Sequence, residues 1–155
     1  MKKSILSAIV IAIVSMTLYS QGNVEEVDFY QSIFGMAKKN IVSQFVEVEG
    51  AAEQEFWTLY DEYEIARKEL GKRRIELLES YAENYLTLDD PMTDELIMAM
   101  ATQKKSLDKL IVKYYKKLKK SAGVTPAAQF YQLENWLLSS IRVQILESVP
   151  FIGEV

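Results

Sequence analysis

Residues 53–120 read EQEFWTLYDEYEIARKELGKRRIELLESYAENYLTLDDPMTDELIMAMATQKKSLDKLIVKYYKKLKK, and this stretch decides the fold. It predicts two long helices, Glu53–Tyr85 and Thr93–Lys120, which fold back on each other at Leu88–Asp89–Asp90–Pro91. Proline cannot continue a helix, and it disfavours helical geometry at the residue before it. Thr93 is the predicted N-cap of the second arm. The stretch therefore predicts a long antiparallel helical hairpin.

The apolar residues of both arms recur at helical spacing, three, four or seven residues apart. The first arm carries a stripe of Phe56, Tyr60, Tyr63, Leu70, Leu77 and Tyr81, widened by Trp57, Leu59, Ala66 and Leu78. The second arm carries a heptad-like, coiled-coil seam of Leu96, Met100, Leu107, Leu110, Tyr114 and Leu118, with polar Gln103 at one position. Such a seam favours packing against a nearly aligned helix. Because a long, thin hairpin buries little surface alone, further helices are expected across it.

An amphipathic segment precedes the hairpin. Asp28 is the predicted cap of a helix over Phe29–Val46, and Val48–Glu49–Gly50 breaks the pattern before the hairpin begins. The apolar positions of this segment are Tyr30, Ile33, Phe34, Ala37, Ile41 and Phe45. The aromatic pair Phe56–Trp57 follows the break, and we expect it to clamp this helix to the hairpin; a ligand platform is the alternative.

A second amphipathic segment follows the hairpin. Gly123 is expected to end the second arm, since glycine is favoured just beyond a helix. Thr125 is then the predicted N-cap of a helix that starts at Pro126 and ends near Val149, before Pro150. Its stripe is Phe130, Leu133, Leu137, Ile141 and Ile145, broadened by Trp136, Leu138 and Leu146. The predicted fold class is thus all-α, a single domain of residues 23–155 with four helices.

The first 20 residues resemble an export signal. Lys2 and Lys3 precede the apolar run Ile5–Val14, and small residues follow in the predicted cleavage region, residues 20–22. A retained membrane anchor is the alternative, but the run is short for a membrane span. The chain contains no cysteine, which excludes lipid attachment at this site and disulfides. We therefore expect a periplasmic protein whose fold is held by packing alone.

Charge is distributed unevenly over the hairpin. The start of the first arm is acidic, and the end of the second arm holds eight lysines: Lys104, Lys105, Lys109, Lys113, Lys116, Lys117, Lys119 and Lys120. An antiparallel fold places these two regions side by side. The lysines are interpreted either as a solvated face that the nearby carboxylates partly neutralise, or as a basic patch for an anionic partner. The formal net charge of −4 disfavours general nucleic-acid binding.

The composition narrows the possible chemistry. The chain has no histidine and no cysteine, which excludes histidine-based nucleophilic catalysis and zinc sites built on those residues. Its six glycines form no phosphate-binding loop. No catalytic, cofactor-binding or metal-binding residue is predicted, no cofactor is expected, and the partner-binding residues remain unassigned. An enzyme or metal carrier that uses carboxylates alone is the remaining alternative to a non-enzymatic protein.

Five segments resemble a group of exported bacterial helical-hairpin proteins, similar to the Spy/CpxP-like periplasmic family. They are Phe56–Glu64, Arg74–Leu78, Tyr81–Tyr85, Lys113–Lys117 and Phe130–Glu134. The L-T-x-x-Q motifs of that family are altered here: Val48–Ala52 lacks both the threonine and the glutamine, and Val124–Ala128 keeps only the threonine. The resemblance implies a helical, hairpin-based and often dimeric fold, with chaperone or stress-inhibitor activity in some members.

Two functions are expected from this reading. The first is an exported helical binding protein, either an ATP-independent periplasmic chaperone or an envelope-stress adaptor, which binds unfolded clients. The second is a structural or interaction module with one specific envelope partner. In both cases the partner is a protein, a homodimer is possible, and neither nucleic acid nor a membrane span after signal cleavage is expected.

Overall fold

A computed structural model describes the backbone of residues 24–154 and the side chains of residues 35–147 and 149–154. The predicted export signal, the cleavage region at residues 20–22 and the apolar positions Tyr30, Ile33 and Phe34 lie outside the residues or side chains described. Within 24–154 the chain forms four α-helices and no strand, which confirms the all-α fold class. We label them α1 (Val24–Phe45), α2 (Ala51–Asn84), α3 (Asp90–Ser121) and α4 (Val124–Ser148). A short 3-10 turn, Tyr85–Thr87, follows α2.

The α2–α3 hairpin is antiparallel, with its turn at the predicted place. Tyr63 meets Tyr114 with ring centroids 5.5 Å apart, and further along the Gln103 side-chain amide donates to the Leu70 carbonyl oxygen at 3.0 Å. Gln103 is buried at a position where the periodicity predicts an apolar residue, and this hydrogen bond provides its side-chain amide with a partner. The end of the hairpin that holds residues 85–92 is called the turn end below.

Helices α1 and α4 pack on the half of the hairpin far from the turn end, and α4 runs on toward the turn end, where the Tyr81 hydroxyl donates to the carbonyl oxygen of Pro150. Each helix runs antiparallel to its neighbours, in the up-down-up-down order of simple helical bundles. All four contribute to one main core, which contains Ile41, Val42, Val46, Phe56, Tyr60, Tyr63, Leu107, Ile111, Tyr114, Leu118, Ala127, Phe130, Leu133 and Leu137. A smaller cluster of Leu77, Tyr81 and Leu96 lies near the turn end. The expectation that flanking helices cover the seam is therefore confirmed.

Several predicted helix boundaries are wrong by a few residues. Helix α3 begins at Asp90 rather than Thr93, because the carboxylate of Asp89 accepts a hydrogen bond from the Met92 backbone N–H at 2.9 Å and acts as the N-cap. Pro91 fits within this first turn because the N–H that proline lacks has no helical partner there.

The two outer helices also start earlier than predicted. Helix α1 begins at Val24, so Asp28 lies inside it rather than at its cap. Helix α4 begins at Val124 instead of Pro126, after Gly123, whose φ of 93° and ψ of 175° are accessible essentially to glycine alone. Ala122 and Gly123 separate α4 from the end of α3, in agreement with the predicted stop at Gly123. Helix α2 ends at Asn84, and α4 ends at Ser148, before Pro150.

The predicted apolar stripes largely match the buried faces. In α3, however, Ile111 is 2% exposed whereas Leu110, the predicted seam residue, is half-buried. The seam steps from Leu107 by four residues to Ile111 and then by three to Tyr114, which leaves Leu110 at its edge. In α1, Phe45 was expected to be buried but is 36% exposed, and Val42 is fully buried instead.

Candidate functional site

Four charged side chains lie inside the main core, where ionised groups are rare. They are Lys38 of α1, Glu64 and Arg67 of α2, and Glu134 of α4, called here the buried charge cluster. The Lys38 ammonium is 2.5 Å from Glu64 Oε1 and 2.7 Å from Glu134 Oε1. Lys38 is 1% exposed and Glu134 is fully buried. One ammonium group thus connects three helices.

Other polar groups complete the surroundings of Lys38. Arg67 Nε donates to Glu64 Oε1 at 3.0 Å, and the Tyr63 hydroxyl donates to Glu134 Oε2 at 2.5 Å. The Lys38 ammonium also lies 5.1 Å from the centre of the Tyr63 ring, within the range of a cation–π interaction. The cluster holds two cationic and two anionic side chains, so its formal charge is balanced.

These contacts set the protonation states of the cluster. Burial raises the pKa of the Glu64 carboxyl, but the opposing effect of Lys38 and Arg67 is larger in sum and brings that pKa below its ordinary value. Burial raises the pKa of the Tyr63 hydroxyl well above 10, and the Glu134 carboxylate raises it further. Tyr63 therefore stays protonated and donates its hydroxyl hydrogen to Glu134.

The buried charge cluster joins three helices. None of its four residues lines the lysine-rich surface of α3 or the groove between α3 and α4 described below, and the near-complete burial of Lys38 and Glu134 keeps an external substrate from reaching them. The apolar periodicity alone does not distinguish Lys38 or Glu134 from surface residues. A signal was present, since Lys38 lies three and four residues before buried Ile41 and Val42, and Glu134 four residues after buried Phe130.

The surface of α3 carries a basic face far from the turn end. Val112 is surrounded by Lys105, Lys109, Lys113 and Lys116, and these four residues are called the lysine face. None of them forms an ion pair with any residue whose side chain the structure describes. The one acid among them, Asp108, pairs with Lys104 at 3.4 Å. This face is therefore not neutralised in the way that an ordinary solvated helix surface often is.

A shallow groove between α3 and α4 borders the lysine face. It is lined by Val112, Tyr115, Lys116, Ala128, Tyr131 and Gln132. The rings of Tyr115 and Tyr131 meet edge to face across it, with centroids 5.8 Å apart. Val112 and Tyr131 remain 39% and 40% exposed. Apolar and cationic surface are thus adjacent here.

The predicted pairing of acidic and basic hairpin regions occurs at one contact of the described part. Lys117 Nζ lies 2.9 Å from a carboxylate oxygen of Glu62, and this hydrogen bond to Lys117 lowers the pKa of the exposed Glu62 carboxyl. Asp61 pairs instead with Lys39 of α1 at 2.6 Å, and Glu64 belongs to the buried charge cluster. Near the start of α2, Asp61 and Glu64 therefore pair with α1 and Glu62 pairs with Lys117. None of the described acids forms an ion pair with the lysine face.

Exposed apolar side chains gather at the turn end, and we call this set the turn-end residues. They are Leu86, Met92, Ile97, Met98, Leu146, Phe151 and Ile152. Leu86 is 86% exposed and Phe151 is 75% exposed. Phe151 belongs to a tail that the Tyr81 and Tyr85 hydroxyls hold by donating to the carbonyl oxygens of Pro150 at 2.7 Å and Phe151 at 3.1 Å. The tail backbone is anchored while its apolar side chains face outward.

The remaining sequence features carry no recognisable chemistry. In the basic cluster Lys72–Arg74, Arg73 forms an exposed pair with Glu76 at 3.0 Å. The aromatic pair behaves as the predicted clamp, since Phe56 is fully buried and the Lys39 ammonium of α1 lies 5.4 Å from the Trp57 ring centre.

In the part of the chain that the structure describes, no group of three potential ligands could hold a metal ion. None of the described helices is both long and apolar enough to span a bilayer.

Comparison with known proteins gives no relative: no family model, no curated protein and no solved structure matches the chain.

Proposed function

We propose that this chain is an exported, non-enzymatic helical binding protein that holds unfolded proteins, as an ATP-independent periplasmic chaperone or an envelope-stress adaptor. The observation that carries the proposal is the exposure of the turn-end residues. Exposed apolar surface of this kind is typical of protein-binding sites. The acids near it, including Asp89 and Asp90, are exposed and would keep the region hydrated between binding events.

Other features support a surface function. The charged groups in the core are nearly fully buried, which disfavours a reaction on an external substrate. The predicted export signal and the resemblance to Spy/CpxP-like proteins support the periplasm and the chaperone activity. Methionines are well suited to varied clients because their side chains adapt to differently shaped surfaces. Met92 and Met98 supply such side chains at the turn end.

An aggregation assay tests this proposal. We expect the purified protein at equimolar ratio to suppress aggregation of several chemically unfolded clients, and the Leu86→Ser/Phe151→Ser variant to lose most of that effect. The matched control is Met36→Ser/Ile65→Ser, which changes two similarly exposed apolar residues away from the turn end (63% and 69% exposed). A wild-type protein that leaves every client aggregating, or equal losses in both variants, would contradict the proposal.

A second candidate function is a module with one specific envelope partner, and the lysine face favours it. Lysines without ion-pair partners around an exposed apolar residue form a defined, chemically distinctive surface. Capture from an envelope fraction separates the two functions. One stoichiometric partner that is lost in Lys109→Gln/Lys113→Gln supports the module, whereas many partners that are retained in this variant support the chaperone.

A further inference from the structure

We infer that the lysine face and the adjoining groove bind an acidic amphipathic helix of a partner protein. This inference specifies the partner class of the second candidate function, and it does not depend on client binding at the turn end. It starts from the unusual combination of unpaired cations and exposed apolar side chains on one face.

The charges indicate an anionic occupant. Residues 104–120 contain eight lysines and one acid, although the whole chain has a net charge of −4. Lys105, Lys109, Lys113 and Lys116 point to the same side of α3 without an ion-pair partner among the described side chains. Four like charges on one face repel one another, and an anionic partner relieves this repulsion.

The spacing of the lysines matches a helix. Lys105, Lys109 and Lys113 follow one another at four residues, which is about 6 Å along the helix axis at 1.5 Å per residue. Carboxylates four residues apart on a partner helix have the same spacing, so aligned helices would bring each acid near a lysine. The face from Lys105 to Lys116 is about 17 Å long, or about three helical turns.

The groove accounts for the apolar side of the partner. Val112 and Tyr131 are exposed on either side of it, and Tyr115 lies between them in contact with Tyr131. An amphipathic helix would place its apolar stripe on these residues and its flanking acids on the lysines, which is the usual helix-in-groove arrangement. A highly acidic but unstructured peptide would satisfy the lysines and leave the groove uncovered.

A protein helix fits this face better than nucleic acid does. All eight basic residues of the region are lysine, whereas arginine is the side chain that binds phosphate by paired hydrogen bonds. The rings of Tyr115 and Tyr131 contact each other edge to face and therefore do not form two parallel platforms for successive stacked bases.

Binding of a synthetic amphipathic peptide of about 18 residues, with a leucine stripe flanked by glutamates, tests the inference by titration calorimetry. A scrambled peptide of the same composition, an oligothymidylate and phosphatidylglycerol vesicles are the competing probes. We expect the amphipathic peptide to bind at least about tenfold more tightly than the scrambled one, and Lys109→Gln/Lys113→Gln to weaken it by about tenfold. Val112→Ser should weaken it as well.

The control variant Lys39→Gln/Arg73→Gln removes the same charge from exposed sites on α1 and α2 and should bind as the wild type does. Absent binding, equal binding of the scrambled peptide, an equal loss in the control, or tighter binding of the oligothymidylate or the vesicles would overturn the inference. The failure of this proposal is distinguishable from that of the chaperone function. Leu86→Ser/Phe151→Ser should still bind the peptide, and Lys109→Gln/Lys113→Gln should still suppress aggregation.

Discussion

Lys38 illustrates how one side chain can hold several helices together. An ammonium group inside a protein is tolerated only when it is paired and hydrogen-bonded, because water otherwise solvates it far better. Glu64 and Glu134 supply that pairing from α2 and α4. The same contacts make each partner dependent on the others, since the loss of one leaves an unbalanced charge in the core.

We therefore expect Lys38→Ala to lower the free energy of unfolding by about 3–5 kcal/mol, the usual loss when one partner of a buried pair is removed. Urea denaturation followed by circular dichroism measures it. Lys39→Ala is the neighbouring control: its pair with Asp61 is exposed, and it should cost about 1 kcal/mol or less. Similar losses in the two variants would show that burial does not distinguish these lysines.

The lowered pKa of Glu64 predicts acid sensitivity. A carboxyl whose pKa is lower in the folded than in the unfolded protein stabilises the fold above its unfolded pKa, near 4.5, and this contribution is lost as the pH falls through the folded value. Stability should therefore decline as the pH drops below about 4.5. Unfolding curves at a series of pH values measure this decline. Glu64→Gln should be less stable at pH 7 and show a shallower decline, and an unchanged slope would contradict the assignment.

At the scale of the element, the observed start of α3 differs from the start that the sequence predicts. The pattern Thr93–Asp94–Glu95 resembles a helix start, but Asp89 caps the helix four residues earlier. A cap depends on which side chain reaches a free backbone N–H, and this geometry is not visible in residue order alone. The same limit explains the early starts of α1 and α4.

Replacement of Asp89 by alanine should destabilise the protein by about 1 kcal/mol, the typical value of an N-cap side chain. The carboxylate that accepts from the Met92 N–H is lost, and water replaces it only in part. Thr93→Ala provides the contrast and should change stability by less than about 0.5 kcal/mol, since its site lies inside the helix. Thermal unfolding of both variants measures the difference. A larger effect at Thr93 would instead support Thr93 as the N-cap of α3.

The hairpin, its turn and most buried apolar positions could be predicted because they depend on local periodicity and on proline and glycine. The buried charge cluster could not, because its members are 26 and 96 residues apart in the chain and periodicity counts apolar residues only. The run of lysines is visible in the sequence, but the absence of ion pairs at Lys105, Lys109, Lys113 and Lys116 among the described side chains is not. That absence depends on the tertiary positions of the acids: Asp61 pairs with Lys39 of α1, and Glu62 pairs with Lys117.

At the scale of the whole molecule, stability is distributed unevenly along the hairpin. The main core joins all four helices, whereas the cluster near the turn end has three buried residues among the side chains that the structure describes: Leu77, Tyr81 and Leu96. Regions with few buried apolar contacts open locally at lower free energy. The turn-end residues therefore lie where few buried contacts hold the described side chains, which suits a surface that adapts to clients.

Hydrogen exchange should reveal this gradient. We expect the slowest amides around Tyr60–Tyr63 and Ile111–Tyr114, and faster exchange in the helical turns around Tyr81 and Leu96, because fewer buried contacts must break there. Exchange followed by mass spectrometry of proteolytic fragments measures the difference. Equal protection at both ends would show that the hairpin opens as a single unit.

The separation of charge along α3 has a consequence before any contact is made. Seven acids and no base occur in residues 75–103, and the eight lysines follow toward the opposite end. Helix α3 therefore carries its side-chain charge as a dipole along its axis, which the acids at the start of α2 offset in part. Near a negatively charged surface this dipole would turn the lysine-rich end forward once the gap narrows to about 8 Å, the screening length at physiological salt. The electric field of the surface then orients the protein before the two make contact.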